Sequence, residues 1–332
     1  MKLVIPMAGR GTRVRPHSHV TPKPLLNVRG KSMIERLVDT FIRVLPGTID
    51  EGVFILGPDF GQPVRDMLSQ ICDARGMKAR FPVQETAQGT GHAVFAAREH
   101  LDGDGIVVFA DTLFDMDPID SLGDSDVVAW VKHVDDPSRF GVAVREGEKI
   151  VAFVEKPQKL ISTEALIGIY YCKDLKQLRR ALQHLVDNDI RGVGNEIQLT
   201  DAFDFLLKED ALITTAGVTE WLDCGTIPAL METTQIILDK EADQPGEGEI
   251  RNCVVHEPVF VARGAIISDS VVGPYVSVEA GAVISNSVVS RSIVFANAEV
   301  SDTSITDSLV GQSASVKPAR AKINVGDHST IE

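Results

Sequence analysis

Strands alternating with helices from residue 2 to about 110, a Gly-rich loop closing the first strand, and a six-residue apolar repeat beyond residue 250 predict a two-part α/β protein. The first part is a Rossmann-like mixed sheet with helices on both faces. The second is a parallel β-helix built from hexapeptide turns.

Leu3, Val4 and Ile5 form the first strand, which stops at Pro6-Met7-Ala8-Gly9-Arg10-Gly11-Thr12-Arg13. Glycines at 9 and 11 expose backbone N–H groups where no Cβ blocks an approaching oxyanion, so this loop is suited to hold phosphate. Among the first 36 residues Lys2, Arg10, Arg13, Arg15, Lys23, Arg29, Lys31 and Arg36 stand against one acid, Glu35, although the whole chain carries a net charge of -14. Positive charge gathered at one loop fits a locally held anion, whereas the acidic remainder argues against nucleic acid or an anionic membrane as partner. Val14 occupies the third glycine position of G-x-G-x-x-G, and no Gly-Lys-Ser/Thr follows, which disfavours both a dinucleotide loop and a P-loop. A βα turn carrying solvated arginines is the plainer alternative.

After the loop, apolar residues at 33, 34, 37, 38, 41 and 42 have helical spacing. Residues 53–56 read as a short buried strand ended by Gly57-Pro58, 63–74 as a helix, 80–84 as a strand, 90–100 as a helix and 105–110 as a strand. In such sheets ligands lie beyond the carboxyl ends of the strands, where Gly9, Gln84 and Asp111 could share one crevice. Residues 127–131, 141–144, 150–155 and 166–171 read as strands of a mixed insertion forming the second wall of the cleft. Helices over 174–187, 198–207 and 226–239 follow. The polar run from Lys240 to Glu249 is the linker candidate, which divides the chain into 1–240, a linker at 241–249 and a β-helix at 250–326.

Beyond the linker Val254, Phe260, Ile266, Val272, Val278 and Ile284 recur every six residues; Val288, Val294 and Val300 resume the period after a slip, and Val310 and Val316 continue it. This is the pattern of a hexapeptide β-helix burying one residue per face, with an alternating β-sandwich as the alternative. Its flat side faces suit packing between copies, so a homo-oligomer is expected. Cys72, Cys172, Cys224 and Cys253 are scattered without a C-x-x-C pair and read as reduced, mostly buried thiols. With no long apolar stretch and no signal-peptide pattern, a cytoplasmic protein is expected.

The loop continues into Thr21-Pro22-Lys23-Pro24-Leu25-Leu26. Together, Gly9-Arg10-Gly11-Thr12-Arg13-Val14-Arg15-Pro16 and Pro22-Lys23-Pro24-Leu25 resemble the signature of the sugar-1-phosphate nucleotidylyltransferases, among them the glucose-1-phosphate thymidylyltransferases. Ala8 stands where many members have glycine. The resemblance implies a left-handed β-helix, a nucleoside triphosphate and a sugar 1-phosphate as substrates, and Mg²⁺ as cofactor. Arg13 and Lys23 would be the catalytic cations. Ala8, Gly9, Gly11, Thr12, Arg13, Gln84, Gly89 and Thr90 would bind the nucleotide.

Asp111, closing an apolar strand, resembles the first metal-binding aspartate of the family, although Ala110 replaces the usual glycine. Trp221-Leu222-Asp223-Cys224-Gly225-Thr226 is similar to the second metal motif. A hard divalent cation needs only one or two such carboxylates beside phosphate oxygens. By chemistry alone either Asp could be a turn or N-cap residue, with Asp115 or Asp117 as substitutes for the first. Gln84 can read a base edge through an amide that both donates and accepts. The run Gly89-Thr90-Gly91-His92-Ala93 resembles the uridylyltransferase members, and His92 reads as a packed or capping residue. Gly141, Glu155, Lys156 and Asn195 would form the sugar-phosphate side, although a Glu-Lys pair is also a common solvated turn. Two other readings stay open: a bifunctional protein whose β-helix is an acyltransferase, although no histidine occupies its coils, and a non-catalytic regulatory homologue hinted at by Ala8 and Ala110.

Overall fold

The computed structural model describes residues 1–318 except 10, 148 and 245. It divides into two compact units: Met1–Leu26 with Lys31–Leu230, and Asn27–Gly30 with the chain from Met231 onward. The division at Leu230 falls inside the helix Ile227–Lys240, ahead of the polar run.

The first unit is built on a nine-stranded mixed sheet. In spatial order, Lys149–Glu155, Gly141–Glu146, Glu164–Cys172, Gly105–Val108, Lys2–Pro6, Glu51–Ile55 and Lys78–Arg80 lie side by side; Val127–His133 joins Glu164–Cys172 and carries Ile213–Gly217 on its other edge. The centre is parallel: Lys2–Pro6 pairs in parallel with both Glu51–Ile55 and Gly105–Val108. Glu164–Cys172 runs antiparallel to Gly105–Val108 and begins the mixed half. Both faces of the central strand are buried. Leu3 and Ile5 enter one apolar cluster with Phe41, Phe54 and Leu68, while Val4 enters the other with Leu178, Leu182 and Phe203. A strand without a polar face is what covering helices on both sides require.

The first of those helices, Met33–Val44, starts at a capping box in which Ser32 Oγ accepts from Glu35 N and the Glu35 carboxylate accepts from Ser32 N. Such reciprocal capping satisfies two otherwise orphaned donors. Its buried face is Met33, Ile34, Leu37, Val38, Phe41 and Val44; Ile42, expected on that face, is exposed. The strand expected at 80–84 is Lys78–Arg80, followed by a single bridge between Leu56 and Val83, because Pro82 has no N–H to continue the ladder. Helix 90–100 is Thr90–Ala96 followed by a 3₁₀ turn at Arg98–His100. Cys72, Cys172 and Cys224 are buried thiols outside any disulfide among the described residues; burial pushes the Cys72 thiol up to about 11 and the Cys172 thiol up to about 12, so both are unreactive. No helix among the described residues is long and apolar enough to cross a membrane.

The second unit contains three parallel sheets whose strands are stacked turn upon turn, which fits the left-handed β-helix. Paired positions lie seventeen residues apart in the early turns (Ile250, Ile267, Ile284) and sixteen in the later ones (Ile284, Val300, Val316). A strict six-residue period would give eighteen, so the expected phase fails in places. Val254 and Val288 are exposed, and the buried residues beside them include Val272, Val278, Ile284, Val289, Val294 and Val300. Each turn bends through left-handed residues: Asn252, Asp269, Asn286 and Asp302 at one corner, Gly264, Gly281, Asn297 and Ser313 at another. Asn, Asp and Gly tolerate that conformation best. Residues 319–326 of the expected β-helix lie outside the described residues.

Asn27–Gly30 belongs to this unit through Glu279, whose carboxylate is buried at 1% exposure. It accepts hydrogen bonds from Asn27 Nδ2 at 2.9 Å, Gly30 N at 3.1 Å and Ser277 Oγ at 2.9 Å. Arg29 lies over the Phe260 ring and donates to Glu241 Oε2 at 2.7 Å. Its charge is therefore spent within the second unit, which corrects the reading that gathers all eight early cations at the glycine loop. Lys2 and Lys31 are likewise engaged elsewhere, with Asp102 and with Asp39.

Candidate active site

A cavity of about 420 Å³ opens in the first unit at the carboxyl ends of its central strands. One wall is the glycine loop, with Ala8, Gly9, Gly11, Thr12 and Arg13 all on the lining. Gly11 has φ of 55°, and a Cβ there would sit 2.9 Å from Lys23 Cβ, so the loop can close over Lys23 only with glycine. Around Gly9 there is open space, leaving its backbone accessible. Arg13 follows in a 3₁₀ turn, Thr12–Val14, with its side chain largely exposed. Arg10 lies outside the described residues.

The cavity floor carries charge. Lys23 is buried in the 3₁₀ turn Lys23–Leu25, and its Nζ donates to Asp111 Oδ2 at 2.8 Å. Arg13 Nη2 stands 3.8 Å from the same oxygen. Asp111 follows Gly105–Val108, and its own carbonyl accepts from Cys224 N at 3.0 Å. That bond extends an antiparallel pair, Thr112–Asp115 with Glu220–Asp223, in which Asp223 lies opposite Thr112. Asp111 and Asp223 are thereby neighbours across a strand pair that the sequence reading did not contain. Asp223 Oδ1 accepts from Gly225 N at 2.7 Å; Gly225 lines the cavity, whereas Asp223 stands exposed beside it. Among the described residues no group of three or more His, Cys, Asp or Glu gathers as a metal cluster. The two half-exposed or exposed aspartates still fit a hard divalent cation, which takes one or two carboxylates and completes its shell with phosphate and water.

The opposite wall holds Gln84, Gly89 and Thr90. Gln84 is buried, its Nε2 lying 3.3 Å from Gly89 O and 3.0 Å from His92 Nδ1. Gly89 has φ of 115°, and a Cβ would fall 2.5 Å from Ile197 O, so glycine is required for the wall to close. Thr90 Oγ1 donates to Gln198 Oε1 and accepts from Leu199 N, each at 3.0 Å. Its hydroxyl is thus committed to the fold.

The residues expected on the sugar-phosphate side lie outside this lining. Gly141 and Glu155 face each other across neighbouring strands, and a Cβ on Gly141 would come 2.9 Å from Glu155 Oε2. Burial pushes the Glu155 carboxyl above its usual range; Lys156 opposes that shift while Asp201 and Glu196 add to it. Lys156 has φ of 44° and holds its Nζ 3.8 Å from Glu155 Oε1. Asn195 is exposed, and it is the adjacent Glu196 that reaches the cavity. Two polar atoms near this group, Thr200 Oγ1 and Asp201 Oδ2, are buried without a hydrogen-bond partner among the described residues. Sequence reasoning also passed over Phe109 and Ala87 on the lining, neither of which carries a chemical signal of its own.

Residues 2–240 match the family described as Nucleotidyl transferase. A glucose-1-phosphate thymidylyltransferase of Streptomyces griseus is 26% identical over 365 residues, covering 100% of this chain and 99% of that protein. A bifunctional GlmU protein of Methanococcus maripaludis is 28% identical over 271 residues, covering 80% of this chain and 62% of its own length. Among solved structures, a UDP-glucose pyrophosphorylase complexed with UDP-glucose shares the fold at a TM-score of 0.60 and 21% identity, covering 72% of this chain and 98% of that one.

Proposed function

From the chain's membership of the nucleotidyl transferase family, we propose that it is a sugar-1-phosphate nucleotidylyltransferase, using glucose 1-phosphate with dTTP or UTP. The observation that carries this reading is the meeting of Arg13, Lys23 and Asp111 in one cavity whose other wall is an amide and a glycine turn. Cations and a carboxylate at one end suit a triphosphate, and a flat polar wall at the other suits a base.

In the reaction an oxygen of the sugar phosphate attacks the α-phosphorus of the triphosphate. A new P–O bond forms, the bond to the β-phosphate oxygen breaks, and pyrophosphate leaves with that electron pair. Little covalent work falls to the protein, whose contribution is alignment and charge neutralisation. Arg13 is assigned to the departing pyrophosphate and Lys23 to the charge at the reacting phosphorus. Lys156 would hold the sugar phosphate, with Glu155 and Gly141 at the sugar and Asn195 at the cleft edge. Asp111 and Asp223 would hold Mg²⁺, which supplies Lewis-acid polarisation of phosphate oxygens when bound. Exposed Val254 and Val288, on matching strands of one β-helix sheet, support packing between copies of the chain.

The test is pyrophosphate release with Mg²⁺, crossing five nucleoside triphosphates against glucose, mannose, galactose and N-acetylglucosamine 1-phosphates. Release that requires both substrates supports the reading and names the pair. Silence across the grid from folded protein refutes it.

A further inference from the structure

The Gln84 amide can be oriented in two ways, and its surroundings select one. Gly89 O can only accept, so the group facing it at 3.3 Å is the Nε2 amine; reversal would set two oxygens against each other. The second Nε2 hydrogen meets His92 Nδ1 at 3.0 Å. Both amide hydrogens are then used, and Oε1, on a residue lining the cavity, accepts no hydrogen bond among the described residues. Gln84 consequently shows the cavity an acceptor and no donor.

We infer that His92 is a positioning residue for nucleotide choice: its Nδ1 lone pair locks Gln84 as an acceptor, favouring bases with an imide N–H, as in UTP and dTTP, over CTP. Uracil and thymine offer N3–H to such an acceptor, whereas cytosine offers a lone pair at N3. The inference rests on the cavity being the nucleotide site. For the lock to work Nδ1 must be unprotonated, and burial, aided by the Arg191 cation, holds the imidazole below its usual range. His92 sits one turn of backbone past the glycine wall, within the helix Thr90–Ala96, and has no other side-chain hydrogen bond among the described residues.

The experiment compares wild type, His92→Phe and His92→Asn. Asn carries an acceptor oxygen close to the Nδ1 position, whereas Phe fills the space without one. Two quantities are read for each protein: the UTP:CTP ratio of kcat/KM for pyrophosphate release, and the CTP:UTP ratio of dissociation constants. Loss of one orienting hydrogen bond should lower the ratio about tenfold in His92→Phe, through nucleotide KM. His92→Asn should restore it, and KM for sugar 1-phosphate should stay put in both. A His92→Phe protein that keeps the wild-type ratio, whatever its overall rate, overturns the inference. Wild type that binds UTP over CTP but releases no pyrophosphate would sink the catalytic reading alone, because the binding ratio still judges His92. Wild type with no preference, or no nucleotide binding, refutes the inference directly.

Discussion

Replacing Lys23 by Met separates charge from packing at the floor of the cavity. Lys23 is buried, and its aliphatic stem packs in the turn below the glycine loop, so Met preserves most of that volume. What disappears is the ammonium and its 2.8 Å hydrogen bond to Asp111. A charge-assisted bond of this kind contributes roughly 1.5–3 kcal/mol when both partners are dry. Asp111, however, is 35% exposed in its side chain and water can take the vacated place, which reduces the loss to about 1 kcal/mol. For a domain of this size that is a fall in Tm of about 2–4 °C. Removal of one preorganised charge at a reacting phosphoryl group should instead cost about 100- to 1,000-fold in kcat. Thermal melting and single-turnover pyrophosphate release, measured on the same preparation, read the two quantities separately. A melted or strongly destabilised variant would show that Lys23 is a structural ion; a stable variant within about threefold of wild-type kcat would remove Lys23 from the chemistry.

Asp223→Asn should leave Tm nearly unchanged, because the carboxylate is exposed, while lowering kcat about 100-fold and raising the Mg²⁺ concentration needed for half-maximal rate; a wild-type Mg²⁺ titration curve would contradict the assignment. Gly89→Ala must move Ile197 O from a 2.5 Å contact at a φ of 115°, so about 1–3 kcal/mol of stability should be lost in thermal melting, with nucleotide KM rising. Glu155 has a raised folded-state pKa, so it binds more protons folded than unfolded, and its contribution to stability falls as pH rises from the ordinary Glu range through that raised value. Glu155→Gln should therefore raise Tm at pH 7 and lose that gain as pH falls below the ordinary Glu range; a Tm difference that is flat with pH would refute the linkage. In the β-helix, Val289→Ala should cost about 2 kcal/mol by leaving a void, and Val288→Ala under about 0.5 kcal/mol, both read by melting.

The glycine-loop end of the cavity was legible because its residues follow strands closely. Gly9, Gln84 and Asp111 each come just beyond an apolar run, and a parallel sheet delivers such positions to one edge without further information. Asp223 was visible only as a motif. What brings it beside Asp111 is the pairing of Glu220–Asp223 with Thr112–Asp115, short strands far apart in sequence whose alternation is too brief to announce a partner. Charge counting failed for a related reason. Arg29 stands only six residues beyond Lys23 in the sequence, but the tetrapeptide Asn27–Gly30 that contains it packs with Glu241, Phe260 and buried Glu279. Counting charge along a chain assumes that neighbours in sequence share surroundings, and a tetrapeptide that leaves its unit breaks that assumption.

The β-helix shows the complementary failure, in which a correct repeat carries an incorrect phase. The six-residue repeat, resumed after its slip at Val288, places Val254 and Val288 inside, yet both are exposed, and inward positions step by five at some corners and six at others: Ile267, Val272, Val278, Ile284, Val289, Val294, Val300. A corner needs only one left-handed residue to turn the chain, so a shortened step costs little when Asp269 or Asn286 occupies it, and more where Arg291 does. Because side chains alternate across a strand, a one-residue step exchanges the inward and outward sets. Valine is present in both sets here, so apolar periodicity alone does not choose between them. The Asn and Asp residues do, since Asn252, Asp269, Asn286 and Asp302 mark successive turns of one corner and their amides and carboxylates bond up the stack, Asn252 to Asp269 at 2.6 Å and Asn286 to Asp302 at 2.7 Å. The phase of such a repeat is carried by its corner residues more than by its core.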